Sequence, residues 1–268
     1  MYSFISINPQ PALQTFVEQF ILYEVNSKTP VVQNFVPSNF QNICFVLKGR
    51  IQLLSTGGKL PVLRSYVLGQ TSQPHTVKYR GHIKILAIHF KPTGMYQLFG
   101  IPMNSFTNLG INFEIVAGTD GKYFVERIFG ASTLEVQVRM MEEYLLQKMQ
   151  RKTGFPAKQI EYAGELIQHR NGNIQLKYLL NEVNMCERNF ERRFIETIGV
   201  SPKTFAGIAR INKALQMIES KFTWKGIADQ LNYTDQAHFN NDFKKFTGKT
   251  PTQYYNSKAN LEHFLYGG

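Results

Sequence analysis

Apolar positions in the last third of the chain recur at helical spacing, in two stretches that repeat one another. Leu176, Leu179, Leu180 and Val183 form an i, i+3, i+4, i+7 stripe, which predicts one buried face of an amphipathic helix. After a short turn at Asn184-Met185-Cys186, a second helix begins near Glu187, with Phe190, Phe194 and Ile198 on its inward side. The plan then recurs. Thr223 is placed as an N-cap, Ile227, Ala228 and Leu231 run along a buried face, and Asn232-Tyr233 makes the turn. Asn tolerates the left-handed backbone such a turn needs. The next helix carries Phe239, Phe243 and Phe246 inward. Phe190 and Phe194 fall on Phe239 and Phe243 at an offset of 49 residues, and Gly199, Ser201 and Pro202 fall on Gly248, Thr250 and Pro251 at the same offset. One unit has been used twice. Between the units, Ser201-Pro202 supplies an N-cap and an N1 proline for a helix through Phe205, Ile208, Ile211, Leu215 and Ile218, a rigid spacer.

The pattern before residue 130 is different. Leu13, Phe16, Val17, Phe20 and Ile21 follow Pro11 with the spacing of one helical face, and short apolar runs come after them at 43–47, 51–54, 66–68 and 83–90. Gly57-Gly58 between two of these predicts a hairpin. Many short strands with close turns fit a small β-barrel or sandwich better than a parallel sheet. Residues 133–150, with Val136, Met140, Tyr144 and Leu145, and residues 156–167 both look helical, and Arg151-Lys152-Thr153-Gly154 is the natural break between them. Met140-Met141 faces either a partner protomer or the chain's own core. The expected fold is α+β: a β-rich, barrel-like domain over 1–130, a helical linker and dimerisation region over 131–170, and an all-α domain with two helix-turn-helix units over 171–258.

Composition changes the picture in three respects. With 268 residues, 43% of them hydrophobic, and 21 Phe and 13 Tyr, the chain can fill two cores. No apolar run reaches the length of about 18 residues needed to span a bilayer, and no basic, apolar and small-residue succession opens the chain, so the expectation is a soluble, cytoplasmic protein without membrane contact. Cys44 and Cys186 are lone thiols in different predicted domains, each expected to be a small buried apolar group. The formal net charge is +11, with 13 basic and 8 acidic residues before position 151 and 17 and 11 after it. That excess suits a polyanionic partner without singling out one end.

The candidate chemistry lies on the second helix of each unit. At about 100° per residue, Arg188 and Arg192 project nearly opposite the buried Phe pair. Arginine matches the O6 and N7 acceptors of guanine with two hydrogen bonds, worth about 1–3 kcal/mol of discrimination in good geometry. An ordinary solvated face balanced by Glu187 and Glu191 is the alternative. In the second unit Ala237, Asn241 and Lys244 lie outward, with Gln236, His238 and Asn240 on the flanks; amides suit adenine and Ala the thymine methyl. Lys244, Lys245 and Lys249 suit phosphates, supplying affinity without sequence information. His238 is either packed near the turn or a DNA contact. If the spacer holds the two readers about 34 Å apart, one turn of B-DNA, a single chain engages two successive major-groove segments.

Residues 172–255 resemble the DNA-binding domain of the AraC/XylS family of bacterial transcription regulators. The stretches that carry the likeness are FERRFIETIGVSPKTF from Phe190 and IADQLNYTDQAHFNNDFKKFTGKTPTQY from Ile227. The resemblance implies seven helices around a central linker helix, contact with double-stranded promoter DNA by both recognition helices, and activation of transcription through RNA polymerase. Matched position by position, the base-reading places fall on Arg188, Glu191 and Arg192 in the first unit and on Gln236, Ala237, Asn240 and Asn241 in the second. Cys186 stands where Ser is common, Asn232 where Gly is usual and Asn241 where Arg is frequent, implying weaker contacts from the second unit. The resemblance also implies an N-terminal cupin-like barrel that senses a small-molecule effector or mediates homodimerisation; Gly100-Ile101-Pro102-Met103 resembles the end of such a domain.

His75, His82 and His89 raise the question of a metal. On a strand through 82–90, His82 and His89 point to opposite faces, and no carboxylate nearby completes a ligand set; these read as surface or core histidines, and no cofactor is implied. Nucleophile-elbow, P-loop and dinucleotide motifs are absent, so the chain does not read as an enzyme. Two alternatives remain: an architectural DNA-binding protein with little sequence preference, and a cupin-type enzyme fused to a DNA-binding tail.

Overall fold

The computed structural model describes residues 2–55, 58–59, 63–150, 157–219 and 223–257. The N-terminal half is a sheet of β1 (Tyr2–Ile7), β2 (Val17–Phe35), β3 (Gln41–Lys48), β4 (Ile51–Ser55), β5 (Gly58–Lys59), β6 (Ser65–Leu68), β7 (His75–Phe90) and β8 (Gly110–Asn112). The order is β1-β2-β7-β3-β6-β8, with β4 also on β7 and β5 on β4, and these pairings are antiparallel. The expected hairpin after β4 is present as the pairing of Ser55 with Gly58; its turn, including Gly57, lies outside the described residues.

β2 and β7 are the long members. Their register shifts between Ser27 and Val31, and β7 then runs beside β4 with its first half and beside β3 with its second. Both faces of this sheet are covered. Leu86, Ile88 and Phe90 of β7 share one face with Phe20, Leu22, Ile43 and Phe45. On that face lie α1 (Gly94–Phe99), α2 (Phe113–Gly130) and α3 (Leu134–Gln150), whose Phe124 and Tyr144 rings stack at 4.1 Å. Met141 is fully buried in this same core, and Met140 packs at its edge. Ile83, Ile85 and Ala87 point the other way, with Tyr23, Val25, Cys44 and Val46, into the concave interior.

Burial on both faces corrects one expectation. Leu13 belongs to a single 3-10 turn at Pro11–Leu13, and from Val17 the chain is extended, not helical. In β2 Phe20 and Leu22 face the helices while Ile21 and Tyr23 face the interior, so the strand reads as a continuous apolar run instead of an alternation. The irregularity between Val17 and Gln19 adds a spacing that mimics a helical face.

The C-terminal part is α4 (Lys158–His169), α5 (Leu176–Val183), α6 (Glu187–Ile198), α7 (Pro202–Glu219), α8 (Trp224–Gln230), α9 (Gln236–Thr247) and α10 (Pro251–Asn256). The expected break at Arg151 to Gly154, and Pro156, lie outside the described residues. Two cores share α7 as their common wall. Phe205, Ala206 and Ala209 close a core with Ile160, Leu179, Phe190 and Phe194. Ile208, Ile211 and Leu215, on the other side of the same helix, close a second with Ile227, Phe239, Phe243 and Phe246. Gly207 allows the contact: a Cβ there would stand 2.9 Å from the Phe246 ring. The α5 stripe is narrower than its spacing predicts, with Leu179 and Val183 buried and Leu176 exposed.

Candidate nucleic-acid interface

Each helix-turn-helix is closed by an asparagine in left-handed backbone, Asn184 at φ 50° and Asn232 at φ 54°. Asn184 caps α5, and its amide reaches back to the Asn181 carbonyl. The second unit is capped at both helix starts. The Thr223 side chain accepts from Gly226 N, and Asp235 accepts from His238 N at 2.7 Å. Such caps are worth about 1 kcal/mol each and fix where the helix begins. Cys186 holds the equivalent place before α6, makes no side-chain cap bond and is exposed, not buried as expected.

With the phenylalanines turned inward, the anticipated readers stand outside. Arg188, Glu191 and Arg192 on α6 are exposed, as are Gln236, Ala237, Asn241, Lys244 and Lys245 on α9; Asn240 is half-buried. Arg192 lies along its own helix, donating to Asn189 Oδ1 at 3.1 Å and to Glu196 Oε2 at 3.4 Å. Lys244 and Lys245 sit in the last turn of α9, where cations complement the helix dipole, and Lys245 Nζ stands 4.9 Å above the Phe246 ring. Lys249 is half-buried, its ammonium donating to Ser257 Oγ at 3.1 Å. His238 packs edge-on against Tyr233 and pairs with Thr234 Oγ1, which favours the structural of its two readings.

One functional side chain escaped the sequence reading. Arg210 of α7 donates to the Gly172 carbonyl at 3.1 Å, reaches Asp242 Oδ2 of α9 at 3.5 Å, and lies 5.4 Å from the Tyr233 ring centre. It ties the turn before α5 to the second recognition helix. The available signal was an arginine in mid-spacer, between the apolar Ile208 and Ile211.

The sheet grips the end of the first reader. Gln41, fully buried, donates to the Ile198 carbonyl at 2.9 Å, Thr107 Oγ1 donates to the Gly199 carbonyl, and Tyr96 OH donates to Glu196 at 3.4 Å. Asn39 and Asn212 of α7 pair at 3.2 Å, and Val36 is buried in the second unit's core. The glycine after each recognition helix abuts the sheet domain. A Cβ on Gly199 would meet Met103 O and Thr107 Oγ1 at 3.2 Å, and one on Gly248 would meet Pro74 at 3.4 Å.

Behind this seam, the concave side of the sheet encloses a cavity with about 110 Å³ free to the centres of water-sized molecules, far more than one water requires. His75 and His89 both line it, and burial pushes each ring down to about 4. Cys44 also lines it, its thiol pushed up to about 12 by burial. His82, as the strand parity requires, faces away and pairs with Glu24. Among the described residues no three His, Cys, Asp or Glu gather as a metal site, and no helix is long and apolar enough to cross a membrane.

Comparison with known proteins agrees with this geometry. Residues 179–257 match the family described as a helix-turn-helix domain, and residues 5–112 match a domain of unknown function, DUF6597. The curated proteins compared include no match. Among solved structures, ToxT from Vibrio cholerae is similar over 89% of this chain and 97% of its own, at 14% identity and a TM-score of 0.51. ToxT from strain SCE256 with a bound unsaturated fatty acid is similar over 94% and 95%, at 14% identity and 0.51. ToxT bound to (E)-4-(8-methylnaphthalen-1-yl)but-3-enoic acid gives 95% and 98%, at 13% and 0.51. At such identity the likeness speaks for a shared two-domain fold. Repeated reader helices on a matched helix-turn-helix domain define the class: a DNA-binding transcription regulator. Within that class, the match places the helix-turn-helix domain at residues 179–257, over both reader helices.

Proposed function

We propose that the chain regulates promoters by placing α6 and α9 in successive major-groove segments, with Arg188 and Arg192 as the main base readers. Glu191 of the first unit and Gln236, Ala237, Asn240 and Asn241 of the second refine the choice, and Lys244, Lys245 and Lys249 hold phosphates. The observation that carries the reading is the exposure of a matched polar face on each repeat while its phenylalanines fill two cores sharing α7. Base edges need such a face, presented from a fixed support. Residues 1–130 serve as the sensing domain, residues 131–170 as linker and dimer contact, and residues 171–258 as the reader. A small molecule in the sheet cavity controls it, as the ligand-bound ToxT structures suggest by likeness of fold. It works as a homodimer in the cytoplasm, activating transcription with RNA polymerase, and catalyses no reaction.

The test is selection of bound DNA from a random pool at near-physiological salt, with the full chain. A two-part site with halves about one turn apart is the expected result. A pool without sequence preference overturns the reading in favour of an architectural protein.

A further inference from the structure

The ligand class of the cavity follows from its walls, given the regulator reading above. Among the described residues lining it there is no Asp, Glu, Lys or Arg. Apolar atoms make most of the surface, from aliphatic side chains such as Ile21, Leu53 and Ile85 and from rings such as Tyr66 and Phe35. Two flat sandwiches stand in the wall: His75 on Phe35 at 5.3 Å and 12°, and His89 on Phe40 at 5.9 Å and 30°. Nδ1 of each histidine and Oδ1 of Asn42 are buried with no hydrogen-bond partner. Both rings are neutral near pH 7 because burial disfavours their charged form. A carboxylate entering here meets no cation to offset the loss of its water. A neutral ring extends the planar wall, and a hydroxyl or amide on it can meet the unpartnered nitrogens and oxygen.

The same wall touches the reader domain. Val36 lines the cavity and is also buried among Ile208, Phe239 and Phe243 of the second unit. Ser38 and Phe40 line the cavity, while Asn39 and Gln41 between and beside them bond to α7 and to the end of α6. The segment 36–41 therefore has one side on the ligand space and the other on both helix-turn-helix units. We propose that the cavity binds an uncharged, ring-bearing small molecule with a hydrogen-bonding group, and that filling it displaces Val36 and its neighbours against α7.

Titration calorimetry of the full chain with 2-naphthol, 2-naphthoate and oleate at neutral pH separates the classes without using DNA. 2-Naphthol is expected to bind more tightly than either anion by about tenfold or more, a gap of about 1.4 kcal/mol. Equal or tighter binding of an anion overturns the proposal. Ala87→Leu, which fills the cavity, is expected to weaken 2-naphthol by a similar factor with an unchanged circular dichroism spectrum; undiminished binding overturns the site. Should that variant fail to fold, His75→Leu serves in its place: it is expected to weaken 2-naphthol but not naphthalene, and equal effects on both overturn the polar role. Hydrogen exchange reads the coupling. Naphthol is expected to alter protection of α7 and α9 in the native chain but not in Val36→Ala, which still binds it. Protection changes confined to the sheet overturn the coupling. If naphthol binding fails while DNA selection succeeds, only this proposal falls; a pool without preference removes the regulator reading and leaves the calorimetry standing.

Discussion

Arg192 is stowed on its own helix between Asn189 and Glu196, an exposed arrangement worth little in stability, so releasing it toward a base costs little. Arg192→Ala is expected to lower affinity for the selected site by about 1–3 kcal/mol while barely changing affinity for random DNA. Lys245→Ala should weaken both equally and flatten the salt dependence by about one unit. Competition binding across salt concentrations checks both, and equal losses for the arginine variant would speak for an architectural role. The histidines give a different kind of test. Folded values near 4, against 6.5 for the free side chain, mean that the unfolded chain takes up more protons between those limits. Stability must then fall as pH drops from about 6.5 toward 4, and His89→Gln should flatten that slope in urea titrations. The exposure of the readers was legible in the sequence because it follows from the local period around Phe190 and Phe239. The fate of His89 was not, because its surroundings come from β2, β3 and the segment before β3.

At the scale of elements, α7 shows why the two units act together. It gives Phe205 to one core and Ile208 to the other, and its Arg210 clamps Gly172 to Asp242. Arg210→Ala is expected to cost about 1–3 kcal/mol of stability, since it leaves Asp242 and the Gly172 carbonyl without that partner. It should also broaden the spacing tolerated between half-sites in the DNA selection. Gly172 itself, at φ +73° and with a Cβ position 2.0 Å from the Ala206 carbonyl, admits no side chain. Gly172→Ala should destabilise by at least about 1–2 kcal/mol from the backbone alone, measured by urea unfolding. The helical units could be read from spacing because each buries one face. The sheet is harder to read: β7 keeps its strand signature in Ile83 to Phe90, while β2, apolar on both faces, carries the spacing of a helical face.

Across the whole molecule, the sheet domain and the readers meet along a seam of buried and part-buried hydrogen bonds that no local pattern reveals. Gln41 and Ile198 are far apart in sequence, and only the fold brings them together. Gln41→Ala leaves that carbonyl buried and unpaired, at an expected cost of about 1–3 kcal/mol, and should speed amide exchange at the end of α6 more than in β7. Val36 carries the seam's deeper consequence. A single methyl-bearing side chain serves as wallpaper for one chamber and as mortar for another. Any drift that reshapes the chamber around Val36 for a new guest must also resettle the second reader, so taste and grip in this lineage can only change together.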